Sequence, residues 1–326
     1  MNQPSEAKPT QGILTTLRCG RTVKTLIVSV LLIVGMGMLR PDKPAGMYPN
    51  EYWATKIRWR HCADVVLTGD SRTLMALSPA EMQKKLTDRR IFNYGFGANW
   101  YSLEYLEAAE NVLDPRSGKK TIIMGISPNS LTQKARQVGN FAELRERSKQ
   151  DAYLDIHFAA IVHFLEPMSF RDAFQGMFPS LAETHTRKEY FADGWMAVNK
   201  EPAGGRNEVK RYRKIYEQNQ VSDRTIENVI SYVSKWTNSG IRVYGFPPPS
   251  SREMVEMEKD MSGLNEAEFV AAFRKAGGMW IPVDQSRYAS FDGSHLEDDA
   301  ALQFSRDLAL RIGEFERLKP ATATRN

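Results

Sequence analysis

The stretch Ala63-Asp64-Val65-Val66-Leu67-Thr68-Gly69-Asp70-Ser71-Arg72 decides how the whole chain is read. Its first part is short, apolar at consecutive positions and rich in β-branched residues, and a glycine follows. Such a run suits a strand buried on both faces, as in a parallel sheet covered by helices on each side. Gly69 permits a tight turn, so Ser71 stands just past the carboxyl end of the strand. Open α/β sheets gather their functional groups at that position.

The same alternation extends outward from this stretch. Ser78-Pro79-Ala80-Glu81 has the form of a capping box and opens a helix over 79–88. Ile91-Phe92-Asn93 is a second short strand, closed by Gly95 and Gly97. A helix over 100–113 leads to Thr121-Ile122-Ile123-Met124-Gly125-Ile126, a third strand that is apolar throughout. Residues 131–210 lose the rhythm and read as a polar, aromatic-rich, partly helical insertion. A helix over 222–238 resumes it. The strand Ile241–Phe246 is halted by Pro247-Pro248-Pro249, a helix covers 264–276, a fifth strand covers Met279–Val283, and a last helix covers 297–314. The expected fold is a three-layer α/β/α sandwich with a mostly parallel central sheet of about five strands.

Before this domain, residues 1–22 are polar, and Lys8, Arg18, Arg21 and Lys24 precede the uncharged stretch Thr25–Leu39 of an apolar segment counted over 23–39. The run is read as a transmembrane signal anchor, with a cleaved signal peptide as the competing reading, and the basic residues put its N-terminal side in the cytoplasm. The domain boundaries expected are a cytoplasmic tail (1–22), the anchor (23–39), a linker (40–60), the α/β domain with its insertion (61–318) and a disordered tail (319–326). The domain then sits outside the cytoplasm, held to the inner membrane by a single pass.

Of the chain's 326 residues, 42% are hydrophobic and 25% charged, which excludes a disordered polymer. The net charge of +5 is spread among acidic residues, as in Leu144-Arg145-Glu146-Arg147, and lacks the dense basic stripe that nucleic-acid binding requires. Two cysteines, Cys19 and Cys62, are too few for a disulfide framework or a sulfur-based zinc site. Cys62 is read as a small buried apolar residue. His157 and His163 are six residues apart, not at a spacing that aims two ligands together, and they are read with His185 as packed or surface residues. Asp298 and Asp299 suit the first turn of the last helix. No metal and no cofactor are expected.

The far end of the chain carries Phe291-Asp292-Gly293-Ser294-His295-Leu296. A serine hydroxyl needs a base with a pKa near ~6.5, which imidazole supplies, and the imidazole needs a carboxylate to hold its tautomer. Asp292 stands three residues before His295, within one turn of backbone. The blocks Gly69-Asp70-Ser71, Asn93-Tyr94-Gly95 and Asp292-Gly293-Ser294-His295, in this order and at strand ends, resemble the SGNH/GDSL hydrolase superfamily over roughly residues 60–130 and 240–315. The resemblance implies Ser71 as nucleophile, His295 as base and Asp292 as its orienter. It also implies an oxyanion hole from the backbone N–H groups of Ser71 and Gly95 with the Asn129 amide. The third block departs from the family pattern. Gly125-Ile126-Ser127-Pro128-Asn129-Ser130 has a longer spacing than Gly-x-Asn-Asp and lacks the aspartate. No Gly-x-Ser-x-Gly elbow points to an α/β-hydrolase instead.

The function expected is an extracytoplasmic acyl-ester hydrolase or O-acyltransferase acting on cell-envelope glycan or lipid esters. It is similar to the membrane-anchored SGNH-like proteins of polysaccharide O-acetylation, which implies a membrane-bound O-acyltransferase as partner. The alternative is a non-catalytic glycan-binding or assembly subunit of such a complex. Two further residues are candidates for substrate contact. Arg72 either meets an anionic group or pairs with an acid, and Trp195, in Asp193-Gly194-Trp195, either faces a sugar or packs.

Overall fold

Val65, Val66 and Leu67 are all fully buried, and they separate onto two cores. Val65 and Leu67 join Ile123, Tyr244 and Phe246 on one face, and Val66 joins Ile122, Met124 and Val243 on the other. This alternation of a strand's side chains between two apolar layers defines a sheet covered on both faces. The computed structural model describes residues 12–38, 46–132, 140–165, 185–201 and 207–318.

The strands are β1 (Val65–Gly69), β2 (Ile91–Asn93), β3 (Thr121–Gly125), β4 (His185–Tyr190), β5 (Met196–Glu201), β6 (Arg242–Phe246) and β7 (Met279–Trp280). Five of them form an all-parallel sheet in the order β2-β1-β3-β6-β7, while β4 and β5 pair as an antiparallel hairpin. The helices are α1 (Gly12–Met38), α2 (Pro49–Lys56), α3 (Ser71–Ala76), α4 (Pro79–Gln83), α5 (Leu103–Val112), α6 (Asn140–Glu146), α7 (Lys149–His157) and α8 (Ala159–Leu165), followed by α9 (Asn207–Tyr216), α10 (Asp223–Asn238), α11 (Arg252–Met261), α12 (Glu266–Lys275) and α13 (Asp298–Leu318). Helices α5, α10 and α12 cover one face of the sheet, and α13 with α3 and α4 covers the other.

The chain divides into two units, Met1–Lys43 with Ala160–Glu183, and Pro44–Ala159 with Thr184–Asn326. The second holds the sheet. In the first, the ring of Phe164 lies so close to Gly37 that any side chain there would collide with it. Helix α1 covers the run expected to span a membrane. Among the described residues, however, no helix is long and apolar enough to cross one. Lys24 interrupts the run, and the uncharged part from Thr25 to Met38 rises only about 21 Å, short of a ~30 Å hydrocarbon core.

Several elements differ from their sequence-based limits. The helix expected over 79–88 stops at Gln83. Ser78 Oγ caps Glu81 N at 3.4 Å, but the Glu81 carboxylate turns to Lys84 and Arg306, so no reciprocal box forms. The strand expected over 279–283 is only Met279–Trp280, because Pro282 has no N–H to offer the ladder. Residues 49–56, read as linker, form α2, which begins with Pro49 and buries Tyr52, Ala54 and Lys56. The region 131–210 is more than an appendage, since its hairpin sends Trp195 and Ala197 into the main core. Residues 202–206 of the insertion and the stretches 1–11 and 319–326 lie outside the described residues, as does the side chain of His185.

Candidate active site

Two glycines let the first block turn. Gly69 ends β1 with φ +152°, and in the sheet register it stands beside Gly125 of β3. A Cβ at either position would collide with the Thr73 hydroxyl, so the pair leaves room for α3 to start immediately. Asp70 caps that helix, its Oδ1 accepting from Arg72 N at 3.0 Å. Its Oδ2 accepts from Ser127 Oγ at 2.6 Å, which ties the loop after β3 to the nucleophile turn. Ser71 therefore sits at the first position of α3, and its N–H has no partner among the described residues.

The second half of the site is a self-bonded loop before α13. Gly293 takes φ +89°, and Asp292 Oδ1 accepts from the backbone N–H of Ser294 and of His295, both at 2.8 Å. Ser290 Oγ donates to His295 O at 2.7 Å, and Phe291 N donates to the same carbonyl at 3.2 Å. The Phe291 ring stacks on the imidazole with centroids 5.9 Å apart. The imidazole is thus fixed from its backbone and from one face.

The two halves meet. His295 Nε2 lies 2.8 Å from Ser71 Oγ, and His295 Nδ1 lies 2.7 Å from Asp292 Oδ2. A carboxylate at Nδ1 assigns the proton to that nitrogen and leaves Nε2 to accept from the serine. Burial pushes the Asp292 carboxyl up, but the His295 ring and the two amides it accepts from outweigh burial and hold it below the usual carboxylate range. The carboxylate therefore stays ionised beside the imidazole. Ser71 and His295 are nine-tenths buried, so charge developing between them is poorly screened.

The residues expected to form the oxyanion hole fall into two groups. The Ser71 N–H and the Asn129 amide carry no hydrogen bond among the described residues, and Asn129, 6% exposed, opens the 3-10 turn Asn129–Leu131 two residues after the Ser127 tie. Gly95 does not fit its expected role, because its N–H donates to Asn93 Oδ1 at 2.9 Å. The cause is the Asn93 side chain. Its Nδ2 donates to the carbonyls of Thr73, Leu74 and Leu77 (3.1, 3.3 and 2.8 Å), clamping the end of α3, and this turns Oδ1 toward Gly95. Two residues further on, the Gly97 N–H has no partner among the described residues.

Neither residue expected to touch substrate is free to do so. Arg72 is 1% exposed and paired. Its guanidinium donates to both oxygens of Glu258, at 3.0 and 2.7 Å, and to Ser294 Oγ at 3.1 Å, with the Tyr212 ring 5.1 Å from its centre. Tyr216 OH donates to the same Glu258 at 2.8 Å. Burial alone would lower the arginine pKa, but Glu258 outweighs it and the guanidinium is held charged. Arg72, the residue after the nucleophile, is thereby bonded to Ser294, the residue before the base. Glu258 lies on α11, and no spacing in the sequence pointed to it. Trp195 is also turned inward. Its Nε1 donates to Met75 O at 2.9 Å, and its indole stacks on Phe191 at 4.9 Å.

A buried lysine lies beside the hairpin tip. Lys56 Nζ donates to Gly194 O at 2.6 Å and to Tyr52 OH at 2.9 Å, and it faces the rings of Tyr52, Trp53 and Phe96. Burial lowers its pKa well below the usual lysine range, although Asp193 pulls upward. His157 is exposed and packs on Tyr153, and His163 is half-buried. Among the described residues no group of three or more His, Cys, Asp or Glu side chains is arranged to hold a metal ion. Comparison with known proteins gives no matching family model and no curated protein of significant similarity.

Proposed function

We propose that this protein is a serine acyl-ester hydrolase or O-acyltransferase of the SGNH/GDSL type, acting on cell-envelope glycan or lipid esters. The observation that carries the reading is the unbroken line of hydrogen bonds from Ser71 Oγ through His295 to Asp292, at 2.8 and 2.7 Å. In the reaction, Ser71 Oγ attacks the ester carbonyl carbon while its proton passes to His295 Nε2. The carbonyl C–O bond to the alcohol then breaks, and the alcohol leaves with that proton. Water, or a second hydroxyl in the transfer reaction, gives its proton to His295 and its oxygen to the acyl carbon; the bond from that carbon to Ser71 Oγ then breaks, and His295 returns the proton to Oγ. The negative oxygen formed in each half is met by the Ser71 N–H and the Asn129 amide. Each such donor is typically worth ~10²–10³ in rate.

The tether belongs to the same reading. Leu26, Ile27, Leu31 and Leu32 are all more than half exposed on α1, as suits a helix whose surroundings are apolar. Lys24 precedes the uncharged stretch and can extend it by reaching toward the headgroups. A membrane-bound O-acyltransferase is the partner this location suits.

Hydrolysis of p-nitrophenyl acetate by the full chain, with loss of at least 10³-fold in Ser71→Ala, tests the enzyme. Transfer of the acyl group to an added oligosaccharide in excess of release to water separates transferase from hydrolase. The second reading, a non-catalytic assembly subunit, is favoured by the engaged Gly95 N–H. It predicts no labelling of Ser71 by a fluorophosphonate in the folded protein.

A further inference from the structure

A cavity of about 480 Å³ lies beyond the carboxyl ends of β3, β6 and β7, between Pro128, Pro247, Trp280 and helix α11. It lies at the same end of the sheet as the proposed reaction centre, and two of its wall residues connect to that centre. Pro128 on its wall immediately precedes Asn129, and Glu258 on its wall is the partner of Arg72, the residue after Ser71. In the strand order, β3 is the direct neighbour of β1. At ~4.8 Å between strands, the space covers the ends of the first to the third strand beyond β1.

The chemistry of the walls selects the occupant. Leu264, Phe269, Trp280 and Ile126 supply an apolar surface. Four of the six polar side chains around it are committed within the protein. Glu258 accepts from Arg72 and Tyr216, and Ser262 Oγ accepts from Leu264 N at 3.2 Å. Asn265 bonds Glu268 through both its oxygen and its nitrogen, and Gln285 Nε2 donates to Pro248 O at 3.4 Å. Lys259 and Glu266 are exposed. A sugar ring brings many hydroxyls, each needing a fixed donor or acceptor once out of water, and this wall has few to spare. A hydrocarbon chain needs none.

We infer that this cavity is the acyl subsite, and that it takes a medium-chain acyl group in preference to acetyl. The inference rests on the acyl-ester reading of the site and names its substrate class. Each methylene buried there strengthens binding in the transition state by about fourfold until the space is filled.

The test uses the full chain in nanodiscs with p-nitrophenyl acetate, butyrate and octanoate. The expected result is kcat/KM rising from acetate to octanoate, by about tenfold or more between the first and second esters. In Ala267→Trp, an exposed position on the cavity wall, octanoate should lose at least tenfold while acetate stays within twofold. Serine-dependent acetate hydrolysis with a flat or falling chain-length profile overturns the inference and leaves the enzyme reading intact. A rise seen with octyl acetate and not with the octanoyl ester also overturns it, because the cavity then holds the alcohol portion. Should no ester be turned over, the enzyme reading fails, and calorimetry with octanoate decides the cavity. Binding with a negative heat-capacity change that Ala267→Trp abolishes upholds it, and no binding to the unaltered chain overturns it.

Discussion

Glu258→Ala is the change with the largest consequence that can be worked from the structure. The Glu258 carboxylate accepts three hydrogen bonds, two from a guanidinium that is 1% exposed and one from Tyr216 OH. Truncation leaves Arg72 charged and buried with only Ser294 Oγ and the Tyr212 face as partners. Breaking a buried pair from one side typically costs ~3–5 kcal/mol, since the remaining charge keeps its desolvation penalty and loses its compensation. Against a typical stability of ~5–15 kcal/mol this is a large fraction. Urea unfolding followed by tryptophan fluorescence should show the midpoint falling by roughly 1–2 M, for an m-value of about 2–3 kcal/mol per M. The double variant Arg72→Met/Glu258→Leu removes both charges and should recover most of that loss. Its kcat should remain reduced with KM little changed, because Ser294 no longer receives the Arg72 bond that steadies the loop carrying His295. A Glu258→Ala midpoint within about 0.3 M of the unaltered protein would refute this account of the pair.

Asp292→Asn should lower kcat by about 10²–10⁴-fold, measured on a short-chain aryl ester, because the imidazole loses the group that holds its tautomer and its cationic form. The folded Asp292 carboxyl is held below its ordinary value, so its contribution to stability is complete above the carboxylate range and is lost as pH falls through the lowered value. Urea midpoints between about pH 7 and pH 2 should show that slope, and Asp292→Asn should lack it. Gly194→Ala should destabilise by about 2 kcal/mol or more in the same assay, since φ is +87° and the new methyl would collide with Asn93 O. Burial pushes the Cys62 thiol up to about 11. Its alkylation at pH 8, mapped by mass spectrometry, should be about 100-fold slower than that of a free cysteine.

The sheet was legible because each of its central strands is a continuous apolar run that ends in glycine or proline, and burial on both faces leaves exactly that trace in a sequence. The hydrogen-bonded trio was legible for a different reason. Gly-Asp-Ser alone is an ordinary turn, but three blocks in the order of the SGNH/GDSL pattern single it out, and the Asp292–His295 spacing is local. What could not be read depends on contacts across long separations. Glu258 sits on a helix whose pattern is ordinary, and only the fold carries it to Arg72, 186 residues away. The role of Asn93 was hidden by its own versatility, since one carboxamide serves three carbonyls and an amide, and the engagement of Gly95 follows from that geometry alone. The hairpin at 185–201 alternates weakly and carries charges, so its pattern is that of a solvated segment, although its tip enters the core.

That tip has a consequence for where the folded domain can be cut. Strand β2 is an outer strand of the sheet, and the backbone carbonyl of Asp193 accepts from Asn93 N at 2.9 Å along its otherwise unpaired side. The tip is itself held by Tyr52 and Lys56 through Gly194 O. An excised fragment starting at residue 61 would therefore lose the peg that fastens this shutter, uncover a row of strand amides and carbonyls, and invite pairing between molecules. A fragment starting ahead of Tyr48 keeps the peg and should stay monodisperse.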